Sequence, residues 1–159
     1  MGTPSDDLND WYAVRRAIEG YFSAVDRRDW EGVAGCFTED VSATYNTGGQ
    51  VTLTGRKATL ERVQIIKNAT ASQHLLSNTH ITVSGDTAEA VTFCIATLIV
   101  GPVDGGRAVV RGIRYDDTLV RTGSGWLIKR RTHNPQWQYE SKSIPAGYWP
   151  AAGATTAPA

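Results

Sequence analysis

The sequence predicts an α+β domain: a cone-shaped unit in which a strongly curved, mainly antiparallel sheet packs against about three helices of the N-terminal half and encloses a pocket. Three observations carry this. Apolar residues recur every three or four positions over residues 8–37, the period drops to two after Asp40, and four long strand-like segments separated by Gly-bearing turns fill the second half. Long strands coil, and helices laid across the open side of such a sheet leave an interior that a small ligand can occupy.

Within residues 8–28, Trp11, Val14, Ile18, Tyr21, Phe22 and Val25 mark a long helix buried along one stripe. Asp29 then stands as the N-cap of a short second helix carrying Trp30, Val33, Ala34 and Phe37, closed by Thr38-Glu39-Asp40. Val41, Ala43 and Tyr45 alternate with Ser42, Thr44 and Asn46, and after Gly48-Gly49 residues 51–54 form the returning arm of a hairpin. Residues 57–68 resume helical spacing through Leu60, Val63 and Ile66, with Gly55 ahead of them. Strands follow at 74–83, 88–100, 107–121 and 126–139, joined by Ser84-Gly85-Asp86, by a loop from Gly101 to Gly106, and by Gly123-Ser124-Gly125, so neighbours run antiparallel. Residues 1–145 read as a single domain, and 146–159, rich in Pro, Ala, Gly and Thr, as a flexible C-terminal tail.

Composition narrows the function. The chain of 159 residues is 41% hydrophobic, and its 16 Lys plus Arg balance 16 Asp plus Glu, which gives no bulk attraction to nucleic acid or to an anionic membrane. Cys36 and Cys94 read as buried small hydrophobes. The three histidines are well separated and have no metal-ligand spacing, and neither a nucleotide loop nor a nucleophile elbow is present, so no metal and no cofactor is expected. The N-terminal residues lack a basic-then-apolar leader pattern and no apolar run is long enough for a membrane span, which makes a cytoplasmic location the expectation.

The chemistry that remains is proton transfer. His74 is the first candidate, because an imidazole takes and returns a proton near neutral pH. Asp26, near the end of the first helix, gains nothing from the helix dipole there. It either orients His74 through one ring nitrogen or pairs with Arg27, Arg28 or Arg131. Tyr45 is placed to donate a hydrogen bond to a carbonyl or enolate oxygen, while Tyr21 belongs either to the core stripe or to the pocket. Strict alternation in 107–121 puts Arg111, Ile113, Tyr115 and Asp117 on one face and Gly112, Arg114, Asp116 and Thr118 on the other, so Arg114 and Tyr115 are both candidate substrate contacts until one face is known to be the lining. His133 and Trp137, around Pro135, are further candidates on the last strand.

The phrases Tyr21-Phe22, Asp26-Arg27-Arg28-Asp29-Trp30, Cys36-Phe37-Thr38-Glu39-Asp40-Val41, Gln73-His74-Leu75-Leu76, Gly85-Asp86-Thr87-Ala88, Gly125-Trp126 and Lys129-Arg130-Arg131 together resemble the SnoaL-like branch of the nuclear transport factor 2-like superfamily. That branch includes polyketide cyclases, dehydratases and isomerases. The likeness is nearest to scytalone dehydratase-type enzymes, and it implies an Asp26–His74 acid/base pair and a carbonyl-polarising role for Tyr45. Such enzymes carry a second His on the next strand, where this chain has Thr97, Leu98 and Ile99. The resemblance implies a cofactor-independent lyase or cyclase acting on a hydrophobic, oxygenated ring compound of natural-product biosynthesis or catabolism. Isomerisation, epoxide opening or a non-catalytic binding module are the alternatives. Val91, Phe93, Ile95 and Ile99 alternate with the equally apolar Cys94, Ala96 and Leu98, so both sheet faces need cover and a homodimer or homotrimer is expected.

Overall fold

Helix α1 (Pro4–Arg27) buries most of the stripe its spacing defines, with Val14, Ile18, Tyr21, Phe22 and Val25 in the core, but Trp11 at its start is exposed. A computed structural model describes residues 4–145 and 147; the expected tail otherwise lies outside the described residues. The helix ends at Arg28, which takes the left-handed conformation (φ 57°) that glycine usually supplies, while the Asp29 N–H donates back to the Ala24 carbonyl at 2.9 Å. The Arg28 guanidinium donates to the Ala69 carbonyl at 2.7 Å, which ties the helix end to the chain entering β3.

Asp29 then accepts the Gly32 N–H at 2.9 Å and caps α2 (Trp30–Gly35). Thr38 to Asp40 do not close that helix; they lie inside β1 (Phe37–Asn46), because Phe37 and Val41 anchor this segment in the core. Gly48 and Gly49, both at positive φ, turn the chain into β2 (Gln50–Thr54). The third helix is shorter than its spacing suggests: α3 covers Arg56–Val63, and Gln64–Asn68 tighten into a 3₁₀ turn where the β-branched pair Ile65-Ile66 weakens the α-helix. Four long strands follow, β3 (Ala71–Ser84), β4 (Thr87–Val100), β5 (Arg107–Thr122) and β6 (Gly125–Lys142); β3 and β6 run a few residues beyond their sequence signals, while β4 and β5 match theirs to within one residue.

The strands form one six-stranded sheet in the order β2-β1-β6-β5-β4-β3. It is a mixed sheet, since β1 runs parallel to β6 while the other neighbours are antiparallel. The strongly curved cone expected from strand length does not form. The sheet stays open, with β2 and β3 as edges that have one neighbour each among the described residues. Strand length dictates local coiling, but closure needs the two edges to exchange backbone hydrogen bonds. Here α1 packs on β3 and α3 on β1, so the apolar face is covered by helices instead.

Two bulges in β6 decide which side chains face those helices. Opposite β5, Thr118 pairs with Arg130 but Leu119 with Ile128, and Gly112 pairs with Trp137 but Ile113 with Pro135, which leaves Lys129 and Gln136 without a β5 partner. The first bulge moves the inward set from Trp126 and Ile128 to Arg131 and His133. The second places Gln138, itself exposed, on the same sheet face as Arg111 and puts Trp137 on the opposite one.

Candidate active site

Phe22 and Asp26 are four residues apart, so they share a helix face, and that face looks at β3. The Phe22 ring lies 5.6 Å from the His74 ring, and one turn later the Asp26 carboxylate meets the same residue twice. Asp26 Oδ1 is 2.7 Å from His74 Nδ1, and Oδ2 accepts the His74 backbone N–H at 2.8 Å. Burial, the largest influence on the Asp26 carboxyl, works to raise it; the hydrogen bonds and charge of His74 outweigh that and hold it below its ordinary value. An ionised carboxylate only accepts, so Nδ1 carries a proton, and in the neutral imidazole the lone pair is on Nε2.

His74 lines a cavity of about 310 Å³ between the end of α1, the α3–3₁₀ segment and the inner face of the sheet. The wall is largely apolar, from Val25, Ile66, Ala96, Leu98 and Ile113. Tyr21, Tyr45 and Tyr115 also line it, and burial raises all three phenols, so they remain hydrogen-bond donors. The Tyr45 hydroxyl is buried without a hydrogen-bond partner among the described residues. His133 completes this group, with its ring 5.4 Å from that of Tyr45 and 5.2 Å from that of Tyr115. Burial first, then the positive charges of Arg131, Arg62 and Arg111, push His133 from 6.5 down to about 4, which keeps it neutral.

His74, Tyr21, Tyr45, Tyr115 and His133 therefore share one cavity, with Asp26 directly behind His74. Arg114 and Trp137 do not join them. Unbroken alternation in β5 sends Arg114 to the opposite face, where it binds Asp116 at 2.6 Å. The bulge at Gln136 sends Trp137 to that same face, over Gly112 and stacked on Tyr139.

Beneath the cavity lies an ion pair that sequence reasoning did not assign. Arg131 donates to Asp117 through Nε at 2.7 Å and through a terminal nitrogen at 2.6 Å, and both side chains are completely buried. The Tyr21 and Tyr115 rings stand 4.1 and 4.9 Å from the guanidinium carbon. Asp117 could have been found, since alternation places it among Ile113, Tyr115 and Leu119, where a carboxylate needs a buried cation. Arg62, also in the cavity wall, was not singled out, while Arg111 lies on the face of β5 that alternation left as one of two candidate linings.

Burial pushes the Cys94 thiol up to about 12, so it is inert. Among the described residues no three His, Cys, Asp or Glu side chains converge as a metal site, and no helix is long and apolar enough to cross a membrane.

A family model for the SnoaL-like domain matches residues 6–132. The uncharacterized protein Rv2910c of Mycobacterium tuberculosis is 28% identical over 134 residues, spanning 83% of this chain and 89% of that protein. Among solved structures, the "Putative Scytalone Dehydratase" of Novosphingobium aromaticivorans superposes with a TM-score of 0.77 at 22% identity, over 92% of this chain and 99% of that one. The hexachlorocyclohexane dehydrochlorinase LinA-type3 of Novosphingobium barchaimii does so with a TM-score of 0.74 at 17% identity, over 92% of this chain and 97% of that one. These two likenesses are of fold.

Proposed function

We propose, proceeding from the fact that the chain belongs to the SnoaL-like domain family, that it is a lyase that eliminates water from a hydrophobic, oxygenated ring compound, using only its own side chains to move protons. The observation that carries this reading is the Asp26 carboxylate bound to both nitrogens that His74 presents on that side, at the wall of an apolar cavity. It leaves Nε2 as a base held in one orientation.

In the proposed reaction, His74 Nε2 takes a proton from the ring carbon beside a carbonyl, and the electron pair passes to the carbonyl oxygen. Asp26 stabilises the imidazolium that results. Tyr45, with Tyr21, Tyr115 and the neutral His133, lines the space where that oxygen develops charge, and a phenol donates to it. The C–O bond to a hydroxyl on the next carbon then breaks, the oxygen leaves as water with the proton from Nε2, and a C=C bond remains. No electrons are gained or lost overall. Arg114 and Trp137 stay outside this reading because they face away from the cavity. The names of the two structural neighbours, a dehydratase and a dehydrochlorinase, lend support, since each names an elimination.

The test uses 3-hydroxy-1-tetralone, whose dehydration gives 1-naphthol. The wild type is expected to accelerate the loss of one water, and His74→Ala to reduce that rate by about 10²–10⁴-fold. Equal rates in the two proteins would contradict the proposal. We also propose a homodimer or homotrimer, supported by Leu75, Phe93 and Ile95, which are exposed on the outer sheet face.

A further inference from the structure

We propose that Arg62 and Arg111 form an anion-binding subsite in this cavity, and that the ring substrate therefore carries a carboxylate. This rests on the elimination reading above and specifies the substrate class for the same site. Carboxylates beside the cavity are already committed: Asp26 gives both oxygens to His74, Asp117 gives both to Arg131, and Glu140 pairs with Arg107. Each of those pairs is balanced. Arg62 and Arg111 are half-buried in the cavity wall, and neither has a carboxylate within ion-pair distance among the described residues.

Their existing contacts hold the guanidinium groups in place without neutralising them. Arg62 lies over the Tyr45 ring, 5.1 Å from its centre, a contact that leaves its N–H donors free. Arg111 spends Nε on the Gln138 Oε1 at 2.6 Å and keeps its terminal nitrogens. Gln138 shares the sheet face of Arg111 only because of the bulge at Gln136. Both arginines line the same cavity as His133, and both positive charges act on its ring.

The sheet register sets the reach of the substrate. Arg111 is opposite Ala96 on β4, and Ala96 is opposite His74 on β3, which puts two strand spacings, about 10 Å, between the backbone of the cation and that of the base. A ring system bound across that span would have its carboxylate at the arginines and its reacting carbon at His74 Nε2. A partly desolvated, unpaired guanidinium is costly, and a carboxylate that meets it through two hydrogen bonds relieves the cost. A neutral ring compound leaves it in place.

The probes are 2-naphthoate and its neutral counterpart 2-naphthamide, titrated calorimetrically against the wild type, Arg62→Gln, Arg111→Gln, the double Gln variant and the double Lys variant. The wild type is expected to bind the naphthoate at least about tenfold more tightly than the amide. Each single Gln change should reduce that preference, the double should abolish it, and the double Lys variant, which keeps both charges, should retain part of it. Melting curves establish that each variant is folded. The proposal is overturned if the wild type binds both probes equally, binds neither, or if the preference persists in the double Gln variant. Because these are binding measurements, such a result would remove the carboxylate subsite and leave the proton-transfer reading standing. Full turnover of 3-hydroxy-1-tetralone by His74→Ala would remove the latter without touching the charge preference.

Discussion

His133 and His74 are the same residue type in one cavity, yet their surroundings differ. His74 has an ionised carboxylate against Nδ1, whereas His133 has burial and three arginines, which drive it down to about 4. The consequence for stability has a definite sign. Between pH 6.5 and 4 the unfolded chain protonates His133 and the folded chain does not, so its contribution is fully present above 6.5 and is lost as pH falls toward 4. Asp26 adds to the same trend, since its lowered carboxyl contributes stability that is lost as pH falls through its folded value. Urea titrations across this range should show a loss on the order of 2 kcal/mol, and His133→Gln should flatten it. At this scale the residues alone showed that Asp26, a carboxylate at a helix C-terminus, needs a partner but left it between His74 and the arginines; the family resemblance pointed to His74, which the geometry shows. The place of Arg131 was not legible, because its inward direction depends on a bulge at Lys129 that no residue pattern announces.

Among the elements, β5 and β6 are joined through the middle of the core by Asp117 and Arg131. Removing one partner leaves a buried charge alone, so Asp117→Ala should cost about 3–5 kcal/mol, while Asp117→Leu with Arg131→Met should recover much of that loss. Chemical denaturation of the three proteins measures both. If Asp117→Ala alone were neutral, the pair would not be holding these strands. Strand positions were legible from alternation and from the turns that follow β3 and β5, and α1 from its apolar stripe. The start of β1 and the break between α3 and the 3₁₀ turn were hidden, since Phe37 suits a helix or a strand equally and β-branched residues only weaken a helix.

For the whole molecule, the α+β class was legible in the order of periods, but the curvature was not. Whether edge strands meet depends on what covers the sheet, and here helices cover one face, leaving Leu75, Phe93 and Ile95 exposed on the other. Native mass spectrometry should therefore find a dimer or trimer, and Phe93→Lys with Ile95→Lys should yield the monomer; a monomeric wild type would contradict this. α1 and β3 bring Asp26 and His74 together at the cavity wall, and the proposed reaction needs His74 there as a base. The most direct test of that role is deuterium uptake at the carbon beside the carbonyl of 1-tetralone in heavy water, because this reports proton abstraction without requiring a leaving group. The wild type should catalyse the exchange, and His74→Ala and Asp26→Asn should each slow it by about 10²–10⁴-fold. Exchange at the wild-type rate in His74→Ala would show that the proton leaves by another route.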